Sequence, residues 1–262
     1  MEMRFHYLRP DQITVQRNAF PVAYVPLGTL EWHGLHNPLG ADGLQAEEIA
    51  IRCAKKGGGI VFPTVYYGES RVNSLLETDL KYREGICERM SLQQDAFDDN
   101  KYPYTGMQQI EHYNHHLIHI MSEVASYGFK LVVFVVGHYP LIENARCAVI
   151  SYNQWAYDKR WDRIGAMAVA DFLALRDKFE NAGDHAGGWE TSHLMASNPE
   201  TVDLSLAAEN LQFGIMSKRN PITSTAEFGN EIYDIAVNEI VERVNKWMKD
   251  PGKNMGHGIN LE

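Results

Sequence analysis

Three short stretches of this chain carry side chains able to hold a metal ion. The first is Glu31-Trp32-His33-Gly34-Leu35-His36-Asn37-Pro38-Leu39-Gly40-Ala41-Asp42, directly behind the apolar run Val22–Gly28. The second is Gly137-His138-Tyr139, behind the apolar run Leu131–Val136. The third is Asp184-His185-Ala186-Gly187-Gly188-Trp189-Glu190-Thr191-Ser192. Divalent ions such as zinc and manganese favour carboxylate oxygens and imidazole nitrogens. Glu31, His33, Asp42, His138 and Glu190 offer such donors from three places. Glu31 and His33 are two apart, so an extended backbone puts both on one face. An aspartate shared between two ions can help them hold and deprotonate a water. Taken singly, each residue is of a kind usually found on solvated surface. The set gains weight because every stretch follows a strand or a glycine-rich turn.

The elements that must position these groups are legible as alternating patterns. Ala23–Val25, Ile60–Phe62, Leu131–Val136 and Ala166–Val169 predict short buried strands. Gly43–Lys56 predicts a helix with Leu44, Ile49, Ile51 and Ala54 among charges. Met107–Tyr127 places Ile110, Tyr113, Leu117, Ile120 and Val124 at three- and four-residue spacing, and Gly128 stands where a C-terminal glycine cap belongs. Glu227–Lys249 predicts a closing amphipathic helix with Ile232, Ile235, Ala236, Ile240, Val244 and Trp247. Strand–helix alternation predicts an α/β fold whose parallel sheet is covered on both faces. In such a sheet, chemistry gathers beyond the carboxyl ends of the strands. The stretch Ser70–Thr105 is polar and irregular, acidic around Asp95–Asn100, and is expected to be a long excursion serving as a lid or oligomer contact. Pro251 onward is expected to be a loose tail.

Composition narrows the partners. The 262 residues carry a formal net charge of −10. That balance argues against nucleic acid, which needs clustered Lys and Arg to neutralise phosphates. One domain spanning residues 1–262 is expected, with no repeat and no convincing linker. Cys53, Cys87 and Cys147 are widely spaced and odd in number, so a disulfide framework is not expected. The first residues have no apolar signal core, and Leu131–Val136 is far short of the roughly 20 residues of a membrane helix. These features predict a soluble cytoplasmic protein with no membrane partner. Lys55-Lys56-Gly57-Gly58-Gly59 lacks the spacing of a phosphate loop, and no G-x-S-x-G elbow is present. His112, His115, His116 and His119 share a helical face, but that face lies roughly 120° from the apolar stripe at ~100° per residue. It is expected to border solvent or a subunit contact.

The order Glu-x-His-Gly-x-His-x-Pro-x-x-x-Asp, then Gly-His-Tyr, then His-Ala-Gly-x-x-Glu-Thr-Ser, resembles the creatininase (creatinine amidohydrolase) family from about Val22 to Met195. The resemblance implies a three-layer α/β/α sandwich with a mostly parallel central sheet, two divalent metal ions (Zn, Mn or Fe), a small-molecule substrate and a homo-oligomer, often a hexamer. By position, Glu31, His33, Asp42 and His138 match family metal ligands, with Asp42 as the bridge. Tyr139 and Ser70 match substrate-contacting residues. His185 matches a catalytic histidine, and Glu190 the glutamate of the same motif, as a catalytic or metal-binding group. Trp189 is expected to wall the pocket with Tyr139, and His36 to support a ligand.

The departures from the family are specific. Creatininase follows Gly-His-Tyr with a metal-binding glutamate, and Pro140 stands there instead. Either Glu190 serves the second ion, or Glu143 reaches in, or that ion binds weakly. Creatininase also places tryptophan and aspartate just ahead of the His185 position, where this chain has Asn181 and Ala182. A substrate other than creatinine is therefore expected. The first expectation is a metal-dependent amidohydrolase acting on a small cyclic amide or related C–N bond. A second is a hydrolase of the same fold opening a cyclic ketone of inositol type, with Ser70, Arg71 and Asn73 as polar contacts. A third is a metal-binding scaffold that has lost turnover.

Overall fold

The computed structural model describes residues 1–159, 165–207 and 214–251. Its centre is a parallel sheet of four strands, β1 (Val22–Leu27), β2 (Ile60–Val61), β3 (Leu131–Val136) and β4 (Gly165–Ala170), in the order β2-β1-β3-β4. Every residue of β1 and β3 is buried, as unbroken apolar runs require when both sheet faces are covered. Register is continuous across the middle: Leu27 pairs with Val136, and Val136 with Ala170. Pro26 has no N–H, yet its carbonyl accepts from Val65 N at 3.0 Å, which extends pairing past β2.

Helices cover both faces. Besides α1 (Pro10–Ala19), they are α2 (Ala41–Gly57), α3 (Leu80–Arg89), α4 (Gly106–Ser126), α5 (Leu141–Lys159), α6 (Asp171–Leu175), α7 (Gly188–Ser197) and α8 (Ala226–Lys249). The three helices read from periodicity are α2, α4 and α8, each within two residues of its expected ends. Helix α4 begins with reciprocal bonds in which Thr105 Oγ1 accepts from Gln108 N and Gln108 Oε1 accepts from Thr105 N. It ends before Gly128 at φ +83°. The expected three-layer α/β/α arrangement is present: α2 and α8 pack together on one side, and α4 and α5 on the other. The main core joins Tyr24, Phe134 and Leu131 of the sheet to Ile49, Leu117, Met121, Tyr233 and Ile240 of these helices.

Two expectations need correction. Ser70–Thr105 is not an irregular excursion throughout, because it contains α3 and a small core of its own in which Leu76, Ile86, Cys87 and Phe97 pack with Trp32. Helices α1, α5, α6 and α7 were also missed, their apolar faces being too short or too interrupted by polar residues to stand out. After Pro251, the expected loose tail lies outside the described residues. Among the described residues no helix is long and apolar enough to cross a membrane.

The connections place the chemistry. From β1 the chain runs through α2 to β2 at the sheet edge, then returns through α4 to β3 on the other side of β1. Right-handed crossovers in opposite directions put α2 and α4 on opposite faces. The loops leaving β1 and β3 therefore diverge, opening a crevice at the carboxyl ends of two neighbouring strands. Two glycines let α2 sit directly on those strand ends. A Cβ on Gly28 would lie 2.3 Å from Gly43 N, and one on Gly137 would lie 1.9 Å from Asp42 O.

Candidate metal centre

The loop leaving β1 is held closed by its own backbone, with Glu31 N donating to Leu39 O at 3.0 Å, and it turns at Gly34 with φ +75°. It is also fastened to the third motif. His36 Nε2 donates to Ala186 O at 3.0 Å, and Asn37 Nδ2 donates to Thr191 Oγ1 at 2.9 Å. His36 thus supports the loop at a distance from the ligands. The third motif is shaped by Asp184, whose carboxylate accepts from Trp189 N at 2.8 Å and Glu190 N at 3.2 Å and so caps the first turn of α7. Ala186 takes a left-handed φ of +54°, and its N–H donates to Glu190 Oε2 at 2.8 Å.

These contacts bring five predicted donors together. Asp42, in the first turn of α2, turns one oxygen to each side: Oδ1 lies 3.1 Å from His33 Nε2, and Oδ2 lies 3.1 Å from His138 Nδ1. Glu31 Oε2 stands 3.2 Å from His138 Nδ1, and Glu190 Oε2 3.4 Å from His33 Nε2. Two donor groups result, Glu31/Asp42/His138 and His33/Asp42/Glu190, with Asp42 in both. Within each group the donor atoms lie within 4.8 Å of one another. A third group joins Glu31 and His33 to His185, whose Nδ1 is 3.8 Å from Glu31 Oε2.

The electrostatics fit a cation site. Glu31, Asp42 and Glu190 are each at most 3% exposed. Three carboxylates this deep are unfavourable without compensating positive charge. His33 Nδ1 donates to Glu31 O at 3.0 Å, which leaves the Nε2 lone pair of the neutral ring facing Asp42 and Glu190. His185 Nε2 donates to Trp32 O at 2.8 Å, which likewise leaves Nδ1 facing Glu31. Lone pairs aimed at carboxylate oxygens call for a proton or a metal ion between them. Burial pushes the Glu31 and Asp42 carboxyls up, but the surrounding imidazoles outweigh it and hold both below their ordinary range. Burial opposes charging of His33 and His138, yet the facing carboxylates raise both well above the usual histidine value. The donor set is thus of the hard-to-intermediate oxygen and nitrogen type that zinc and manganese accept.

A cavity of about 630 Å³ opens beside this cluster. Glu31, Asp42, His138, Tyr139, His185 and Glu190 line it, together with Asn73, Ser74, Asp79, Lys81 and Tyr82. Tyr139 packs on Phe172 with ring centres 4.3 Å apart, and its hydroxyl is buried without a partner. Two expected substrate contacts are not among the lining residues. Ser70 lines a neighbouring cavity instead. Trp189 is turned into the core, where its indole N–H donates to Asp171 Oδ2 at 2.8 Å and its ring packs on Phe179 and Phe228. Glu143 does not reach in either, because its carboxylate is exposed and pairs with Arg146 at 3.0 Å. Pro140 lines the cavity and Glu190 completes the second donor group. The four helical histidines are exposed, as expected of a solvent-bordering face, and among the described residues none belongs to a metal-capable group.

Sequence reasoning missed the residues behind the donors. Gln45 Nε2 donates to Gly137 O at 3.3 Å and Glu190 Oε1 at 3.4 Å, while Gln45 Oε1 accepts from His193 Nδ1 at 3.1 Å. A signal existed, since Gln45 lies three residues beyond Asp42 and His193 three beyond Glu190, each on the ligand's own helical face.

Comparison with known proteins identifies the family. The family model described as creatinine amidohydrolase matches residues 6–244. The chain belongs to the creatininase family. Its members are hydrolases, and this chain is a creatininase-family hydrolase. Creatinine amidohydrolase of Pseudomonas putida is 24% identical over 200 residues, 72% of this chain and 69% of that protein. The mycofactocin precursor peptide peptidase of Mycolicibacterium smegmatis is 24% identical over 256 residues, 88% of this chain and 87% of that one. A solved structure titled as a manganese creatininase superposes with a TM-score of 0.70 at 19% identity, covering 94% of this chain and 98% of that one. Creatininase relatives thus share the fold while the two enzymes carry different names for what they act on.

Proposed function

We propose that this creatininase-family chain is a two-metal hydrolase that opens a small cyclic amide or a related C–N bond. The observation that carries this reading is Asp42, whose two oxygens each face a different imidazole at 3.1 Å and so belong to two donor groups at once. Glu31, Asp42 and His138 would hold one ion, and His33, Asp42 and Glu190 the other. When bound, such a pair supplies a polarised carbonyl and a water acidified from ~15.7 toward about 7 in the best zinc cases.

The remaining work falls to the chain's own groups. His185 is fixed through Nε2 to the Trp32 carbonyl, so Nδ1 is the atom that takes up a proton and returns it to the departing nitrogen. In the net reaction water adds its hydroxyl to the carbonyl carbon, the ring C–N bond breaks, and the nitrogen gains the proton. Burial, with the carboxylates of Asp171 and Glu190 nearby, raises the Tyr139 phenol well above its ordinary value. It therefore remains a hydrogen-bond donor on the cavity wall.

The polar residues that line the rest of the cavity favour a second reading. Asn73, Ser74, Asp79, Lys81 and Tyr82 present both donors and acceptors to whatever occupies the cavity. That is the recognition chemistry of a ring bearing several hydroxyls, and it supports opening of a cyclic polyhydroxy ketone, where a C–C bond breaks in place of C–N. Turnover of a panel of lactams, cyclic ureides and cyclic hydroxyketones with added manganese or zinc separates the two, because only the first yields an amine or ammonia. Asp42→Ala is expected to lose both ions and to slow turnover on the order of 10³-fold or more. Retention of full metal content and rate by that variant would remove the bridge from the mechanism.

A further inference from the structure

We propose that Glu69 is a positioning residue for His138, holding the ring by its far nitrogen so that Nδ1 stays aimed at the ion shared with Glu31 and Asp42. The inference rests on the metal reading above. Glu69 is 3% exposed, and neither of its carboxylate oxygens has a hydrogen-bond partner. A carboxylate is not retained that deep without a donor or a cation to answer it. His138 is 5% exposed, and its Nε2 is also buried without a partner. The two unanswered groups face each other, with Glu69 Oε1 4.0 Å from His138 Nε2. This exceeds a direct hydrogen bond, and one shared water or a small rotation of the Glu69 side chain closes it.

Placement and chemistry agree. Gly68 lies against the exit of β1 and the start of α5, where a Cβ would stand 2.9 Å from Thr29 Oγ1 and 3.9 Å from Leu141 Cδ2. That close approach delivers the next residue, Glu69, beside the loop carrying His138. Glu69 belongs to no donor group of the metal centre, and it addresses the ring nitrogen opposite the one that faces Asp42. A metal-binding imidazole generally donates its other N–H to a carboxylate, carbonyl or water, which fixes its tautomer and makes it a better ligand. His33 has a carbonyl in that role through Glu31 O, and His185 has Trp32 O. Glu69 fills the same role for His138. Its oxygens accept the Nε2–H, and the Nδ1 lone pair is left for the ion.

The test is a manganese titration of the metal-free full-length protein, followed by calorimetry and by electron paramagnetic resonance, for wild type, Glu69→Gln and Glu69→Leu. Wild type is expected to bind two ions. Glu69→Gln keeps the shape and an accepting oxygen but loses the charge, and one of the two ions is expected to bind about tenfold more weakly. Glu69→Leu, which has no acceptor, is expected to weaken the same ion up to about 100-fold. The ion held by His33, Asp42 and Glu190 should keep its affinity, a split that general loosening of the fold would not produce. If Glu69→Leu does not fold, the nearly isosteric Glu69→Gln decides. Binding of both ions within twofold of wild type by a folded variant, or equal weakening of both, would overturn the role of Glu69 while leaving the metal reading intact. A wild type that takes up no ion would overturn both.

Discussion

At the scale of single residues, the candidate centre is a set of buried carboxylates facing imidazoles. Glu31, His33, Asp42, His138 and Glu190 announce themselves by type, by spacing and by following strands or glycines. Gln45 and His193 are marked only by their i+3 spacing from Asp42 and Glu190, and Asp171 by nothing, since the contacts they make join distant parts of the chain. Ser70 was expected in the pocket by its resemblance to a family substrate contact, and Trp189 as an aromatic wall beside Tyr139. A side chain's direction depends on its helix or loop, and Trp189 on α7 faces Asp171 and the core. Asp171 itself offers a test. It is 1% exposed, and burial pushes its carboxyl up to about 6. Between the ordinary aspartate value and about 6, the folded protein holds a proton that the unfolded chain has released. Its contribution to stability therefore falls as pH rises through that window. Comparing metal-free wild type with Asp171→Asn by urea unfolding, the stability difference should move by about 3 kcal/mol in favour of the variant between pH 4 and pH 7. Parallel pH profiles would show that Asp171 does not titrate as described.

At the scale of elements, the long amphipathic helices and the buried strands were legible because burial imposes a period on the sequence. The periods of 3.6 and of continuous apolar runs were visible in α2, α4, α8, β1 and β3. Helix α3 was hidden in a polar stretch because it buries only Ile86 and Cys87, too few positions to set up a pattern. The junction of α2 with the strand ends was also invisible, although it decides where Asp42 stands. Gly137 permits that junction, since any β-carbon there collides with the Asp42 carbonyl. Gly137→Ala is expected to destabilise the metal-free protein by about 3 kcal/mol through overpacking and to weaken metal uptake at the same time. Denaturant unfolding and metal analysis read the two effects. An alanine variant of unchanged stability would mean that α2 can shift without cost.

At the scale of the whole molecule, the reversal of strand order between β1 and β3 sets the crevice, and the donors reach it from β1, α2, β3 and α7. Ions bound there would tie these parts together, so metal should stabilise the fold by mass action. With an ion in hundredfold excess over its dissociation constant the gain is about 2.7 kcal/mol, on the order of 5–10 °C in Tm for a chain this size. Treatment with a chelator should lower Tm by that amount, and added manganese or zinc should restore it. A Tm indifferent to both would mean that the donors meet without an ion.

The spread of donors along the chain also orders events at the ribosome. Glu31, Asp42 and His138 have all been synthesised 52 residues before Glu190. At ordinary translation rates that interval is about 3–10 s. If the centre holds two cations, a nascent polypeptide would own the donors for the first well before those for the second, and Asp42 would meet that first cation with one oxygen still in reserve.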